Sequence, residues 1–199
     1  MLTNDGLVVT GWATVRKSSS NDAQYHEIGH NLGLHHAQGL ECGANIVDAE
    51  PLLTCKVEDG RDIFSVMGAG SPNTFRPHMA APHKERLGWI SGGKIQEVVA
   101  DGTYTIDNIE TASPGVKFLK IPEVLPVTSG TDFYFLEYRQ PVGFDVGFVN
   151  PGINYNGVLV HWNITNAPGV FTYLLDMTPG TGFANLDFWD PTLQVLFKS

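Results

Sequence analysis

The sequence predicts an α+β chain in two parts: a helical, loop-rich part over residues 1–92, and a β-rich, antiparallel, sandwich-like part over residues 93–199. Three observations predict it. His26 and His30 stand four apart just ahead of Gly33, which reads as one face of a helix with a glycine stop. At Ser91-Gly92-Gly93 the composition shifts, and beyond it apolar and polar residues alternate between Gly, Pro and Asn turns. Hydrophobic residues make up 42% of the chain and charged ones 17%, a balance that builds a globular core and not a disordered chain.

Taken in order, Gly6 to Val15 reads as one strand or a tight strand pair. Ser18-Ser19-Ser20-Asn21-Asp22 is a loop ending in helix-capping residues, so the helix bearing His26 starts soon after it. Residues 37–62 read as loop, with several Gly, one Pro and one short apolar patch. Ile63-Phe64-Ser65-Val66-Met67-Gly68 places a methionine in a tight turn supported by Gly68 and Gly70, and Gly70 to Thr74 is a further turn cluster. Met79 to Ile90 reads as a helix broken or begun at Pro82, with Leu87, Trp89 and Ile90 for packing. Strands are expected at Tyr104–Ile106, Val116–Ile121, Phe133–Tyr138, Gly157–Ile164, Phe171–Leu175 and Leu193–Phe197. No fixed-period repeat or low-complexity segment interrupts this order.

The chemistry concentrates in His26-Glu27-Ile28-Gly29-His30-Asn31-Leu32-Gly33-Leu34-His35-His36, which has the spacing H-E-x-x-H-x-x-G-x-x-H. Residues four apart on a helix aim two imidazoles at one point. A turn at Gly33 lets the chain swing back and deliver His36 as a third ligand; the register selects His36 over His35. Three histidines with an open fourth position suit catalytic zinc. Glu27, beside the first ligand, is placed to act as general base on a zinc-activated water. The competing reading is a polar helix with surface or core-satisfied histidines; five fixed positions make chance occurrence rare. A plain H-E-x-x-H site with a later Glu as third ligand is argued against by the Gly33–His36 extension.

These residues resemble the metzincin zinc peptidases, whose extended motif is followed downstream by a methionine turn. His83-Lys84-Glu85-Arg86-Leu87-Gly88-Trp89-Ile90 and Phe135-Leu136-Glu137-Tyr138-Arg139-Gln140 are similar to segments of the gametolysin-like group. The resemblance covers roughly residues 26 to 140. It implies the C-terminal part of a metzincin catalytic domain (zinc helix, Met-turn, following helix) within residues 1–92, ahead of the β-rich region. It further implies a secreted zinc metalloendopeptidase, with His26, His30 and His36 on the metal, Glu27 as base and Met67 as an apolar floor beneath the imidazoles. No tyrosine closely follows Met67, so the extra tyrosine ligand of some members is not expected. The family has a larger sheet ahead of the zinc helix; residues 1–25 supply at most a strand pair, so a truncated N-terminal sheet is expected. Met1-Leu2-Thr3-Asn4 lacks the basic start and apolar block of a signal peptide, which fits a trimmed chain. Secretion favours a disulfide between Cys42 and Cys55 over two reduced thiols.

A formal net charge of −9 and a pI near 5.1 speak against a basic nucleic-acid surface. No apolar run approaches the roughly 20 residues that span a bilayer. The expected partner is therefore a protein or peptide substrate, with neither nucleic acid nor membrane; oligomeric state is not encoded in any motif. Calcium would suit loop carboxylates at Asp132, Asp145, Asp176, Asp187 and Asp190, but no ordered loop motif supports Ca2+, and solvated turn residues are preferred. His78 and His83 read as surface histidines, and His161 as a packed or edge histidine with Trp162 on the opposite face. Asn163-Ile164-Thr165 fits a glycosylation acceptor. Two other functions compete with hydrolysis. One is a binding module with exposed aromatics such as Trp162 or Trp189; the other is an inactive remnant in which zinc is structural.

Overall fold

The computed structural model describes residues 21–68, 77–123, 132–149, 157–164 and 170–179. The strands expected within 6–15 and 193–197, the 70–74 turn, Trp189, Asp187 and Asp190 lie outside these residues.

The described residues are α+β, with few helices and one mixed sheet. Helix α1 (Asn21–Asn31) leads into strand β1 (Leu34–Glu41), a short helix α2 (Pro51–Thr54) and strand β2 (Lys56–Glu58). Helix α3 (Ala81–Arg86) precedes β3 (Ile95–Glu97), β4 (Phe118–Pro122), β5 (Phe133–Tyr138), β6 (Val158–Ile164) and β7 (Val170–Leu175). The seven strands lie in the order β2-β1-β7-β6-β5-β4-β3. Pairing is antiparallel except for β1 with β7 and β3 with β4, which are parallel.

Among the described residues, the sandwich-like arrangement expected beyond residue 93 is therefore corrected to one mixed sheet that also takes in strands from before it. β1 and β2 precede that point and β3 to β7 follow it, yet β1 sits beside β7. Residues 34–41, whose latter part was expected to be loop, form a strand despite few β-branched residues, because pairing on both edges overrides weak local preference. Tyr104–Ile106 is not a strand, and the Tyr104 hydroxyl donates instead to the Ala100 carbonyl at 2.6 Å. The helix expected over 79–90 is shorter, with Pro82 in its first turn and Gly88 beyond its end at φ 70°.

The two sheet faces differ in chemistry. On one, Leu40, Val160, Trp162, Ile164, Tyr173 and Leu175 form an apolar core. The Cys42–Cys55 disulfide pins the excursion between β1 and β2 against it; such bonds persist in oxidising compartments. On the other face, Phe118 and Phe135 pack against Ala81 of α3. That face also carries Glu137 and His161, both fully buried. Among the described residues, no helix is long and apolar enough to cross a membrane.

Candidate metal centre

α1 carries His26 and His30 on one face, and it ends where the spacing predicts. The Gly33 N–H bonds the His30 carbonyl at 2.9 Å, and Gly33 has φ 86°, a left-handed conformation that glycine adopts without penalty. The chain then turns directly into β1, which delivers His36. The three rings converge, with centroid separations of 4.6, 5.1 and 5.0 Å. One ring nitrogen from each lies within 4.8 Å of the others.

Each imidazole is braced through its other nitrogen. His26 Nδ1 lies 2.9 Å from the Val66 carbonyl, and His30 Nδ1 lies 2.9 Å from the Leu34 carbonyl. His36 Nδ1 lies 2.9 Å from Asp59 Oδ1. Carbonyls and carboxylates only accept, so each Nδ1 carries the proton and each Nε2 keeps its lone pair. His26 Nε2 and His30 Nε2 stand 3.0 Å apart. Two neutral nitrogens at that distance repel unless a cation or proton lies between them, so the donor set fits a divalent metal. Burial lowers the His26 pKa, and the neighbouring His30 and His36 push in the same direction against the Val66 carbonyl. The neutral, ligating form is thereby favoured.

The 62–68 turn packs against α1 beside the rings. Met67 is fully buried, and its sulfur occupies the notch left by Gly29 on α1; a Cβ at position 29 would stand 2.2 Å from Met67 Sδ. The Met67 carbonyl accepts from Ala37 N–H at 2.9 Å, tying the turn to the strand that carries His36. Gly68 approaches so closely that a Cβ there would lie 2.0 Å from the Asp62 carbonyl. Gly29→Ala should cost about 1–3 kcal/mol, because fully buried Met67 must repack to admit the methyl group. A thermal melt of the variant checks this, and an unchanged Tm would show that the notch is not needed.

Glu27 sits half-buried on α1 outside the converging set, near enough for its charge to act on His26. His35 points away from the cluster and stacks on Phe171 at 4.6 Å. The second group with ligand-type atoms, Cys42, Asp48 and Cys55, has its sulfurs in the disulfide and offers no thiolates.

Several residues lie elsewhere than the sequence suggested. Asp132, Asp145 and Asp176 are buried, not solvated. Asp145 accepts two bonds from Arg139, at 2.6 Å each, and Asp176 accepts from the Thr178 N–H at 2.8 Å. His83 is fully buried. His78 is no plain surface residue: its ring stacks between Trp89 and Phe144 and bonds Glu110 at 3.0 Å. Trp162 is fully buried with its indole N–H on Glu123, which removes it as a binding platform. Asn163 is 7% exposed within β6, so the folded chain has no room for a glycan there.

Sequence reasoning missed Asp59, Val66 and Leu34 as ring braces and Gly29 as the methionine notch. Gly29 alone left a signal: a glycine inside an otherwise helical pattern marks a close approach. No family model, curated protein or solved structure matches the chain.

Proposed function

We propose that the chain is a zinc-dependent endopeptidase of the metzincin type, resembling the gametolysin-like group, that hydrolyses proteins or peptides outside the cell. The observation that carries this reading is the convergence of His26, His30 and His36 with every Nδ1 already engaged, leaving three nitrogen donors for one cation. These three residues would hold the zinc, which favours imidazole nitrogen. Three protein ligands, with no fourth in the group among the described residues, suit catalysis better than a closed structural site. Met67 supports the ligands from below as a soft apolar contact.

When bound, zinc supplies Lewis acidity, polarising a peptide carbonyl and acidifying water. Glu27 takes the proton of the attacking water on its carboxylate and hands it to the leaving amine nitrogen. Val66, Leu34 and Asp59 keep the imidazoles in the ligating tautomer throughout. The disulfide is compatible with an oxidising, extracellular setting.

The test is cleavage of an unfolded protein by the zinc-loaded chain, its loss on chelation and its return with zinc. His30→Ala should lose both bound zinc and cleavage. Undiminished zinc content in that variant would remove His30 from the ligand set, and a zinc-loaded wild-type chain without cleavage would contradict the reading.

A further inference from the structure

We propose that His161, clamped between the carboxylates of Asp62 and Glu137, is a positioning residue for the metal centre: it anchors the turn that orients His26 and carries Met67, and so sets metal affinity from within the sheet. This inference rests on the zinc reading above.

His161 Nε2 lies 3.0 Å from Asp62 Oδ2, and His161 Nδ1 lies 3.4 Å from Glu137 Oε1. All three side chains are fully buried. Asp62 accepts a hydrogen bond from Nε2, and the Glu137 carboxylate beside Nδ1 favours the protonated ring. Behind it, Arg139 Nη1 approaches Glu137 at 3.6 Å, which extends the charge alternation to Arg139 and Asp145. The sheet builds this cluster. His161 on β6 is opposite Phe135 and diagonal to Glu137 on β5, so the two share a face. Glu137 and Arg139 belong to the Phe135–Gln140 segment, which carries no part of the hydrolytic mechanism.

Asp62 transmits the anchor. Its Oδ1 accepts from the Phe64 N–H at 2.9 Å, and its own N–H reaches the Ala37 carbonyl at 3.3 Å. Ala37 returns a bond to the Met67 carbonyl, and the Val66 carbonyl receives His26 Nδ1. His161 is thus joined to one ligand through the turn and to the strand of another through the residue after His36. A histidine needed only to fill space would not require two buried carboxylates, because a packed apolar side chain avoids their desolvation.

The cluster has a pH signature. Burial pushes His161 down, but Asp62 and then Glu137 outweigh it and hold the ring above its ordinary 6.5, with Arg139 acting in the opposite sense. β7 contributes the uncharged Leu174 opposite it, and α3, packed on the same face, brings buried His83 and buried Lys84, the latter acting on Glu137 and Arg139. A raised folded value means that the anchor is complete below about 6.5 and fades as pH rises through that folded value. A histidine metal site changes the other way, tightening as its ligands lose protons.

The experiment titrates Co2+ into the full chain by chelator competition, following its absorption bands from neutral to alkaline pH. His161→Phe should weaken Co2+ binding about ten-fold at neutral pH. His161→Gln, whose amide can still donate to Asp62, should recover most of that loss and abolish the alkaline weakening expected of wild type. Ile164→Ala, on the opposite sheet face, should lower the Tm without changing Co2+ affinity. Unchanged affinity in a folded His161→Phe, or an equal loss in Ile164→Ala, would overturn the proposal. If His161→Phe does not fold, persistence of the alkaline weakening in His161→Gln overturns it instead. Wild type that binds no Co2+ would sink the zinc reading itself and this inference with it, an outcome distinct from equal binding by wild type and variants.

Discussion

Glu27→Ala should reduce turnover of an unfolded protein by about 10²–10⁴-fold while leaving zinc content unchanged. The separation follows from position. Glu27 adjoins His26 on α1 but is not one of the three converging side chains, and none of the three Nδ1 braces uses it. Removing its carboxylate therefore removes a proton acceptor and no metal donor. Glu27→Gln, which keeps the shape and loses the basicity, should be equally slow. Parallel measurement of hydrolysis rate and zinc stoichiometry decides the matter. Wild-type rates in Glu27→Ala would assign the base elsewhere, and loss of zinc along with rate would make Glu27 part of the metal's support.

Arg139→Met should destabilise the fold by about 3–5 kcal/mol, the usual cost of breaking one side of a buried ion pair. Arg139 is 1% exposed and grips both oxygens of fully buried Asp145. Asp145 and Glu137 together raise its pKa further above the ordinary arginine value against the opposing effect of burial, so it stays charged throughout the working range. Methionine keeps most of the side-chain length but leaves buried Asp145 without its cation and takes one of the neighbouring cations from Glu137. Asp145 also accepts from the His78 N–H at 3.0 Å, and the His78 carbonyl receives the Val66 N–H at 3.2 Å, so the damage reaches the turn whose Val66 carbonyl braces His26. Urea unfolding of wild type and variant measures the change through the midpoint at constant slope. A loss below about 1 kcal/mol would mean that Asp145 and Glu137 are neutralised by other means. Arg139→Met combined with Asp145→Leu should recover part of the stability, since removing both partners costs less than orphaning one.

Much of the local structure was legible. The four-residue spacing of His26 and His30 and the stop at Gly33 are properties of one helix and its end, and the structure has both. Phe133–Tyr138 and the run ending at Ile164 read as strands and are strands, because period-2 patterning and β-branched or aromatic residues act over a few residues. Less was legible where partners are distant in sequence. Leu34–Glu41 has little strand character of its own and becomes one by pairing with β7, whose residues follow more than a hundred positions later. The acidic residues of the second half read as turn carboxylates from their neighbours alone; only the folded sheet shows that Asp145 has Arg139 to bury against.

The division between sequence and tertiary structure follows range. By itself the sequence determined which residues carry donor nitrogens, which helix face presents two of them, where that helix ends, and which later segments favour a strand. Each is set by backbone geometry within about a turn or a few pleats. Tertiary structure alone decided that one mixed sheet runs through both halves, that Asp59 and the Val66 and Leu34 carbonyls hold the rings, that Met67 fills the notch at Gly29, and that His161 meets Asp62 in the core. These are decided by burial shared between remote segments. A charge or a cavity is tolerated in the interior only when its partner arrives from elsewhere in the chain, and local pattern carries no record of which partner that is.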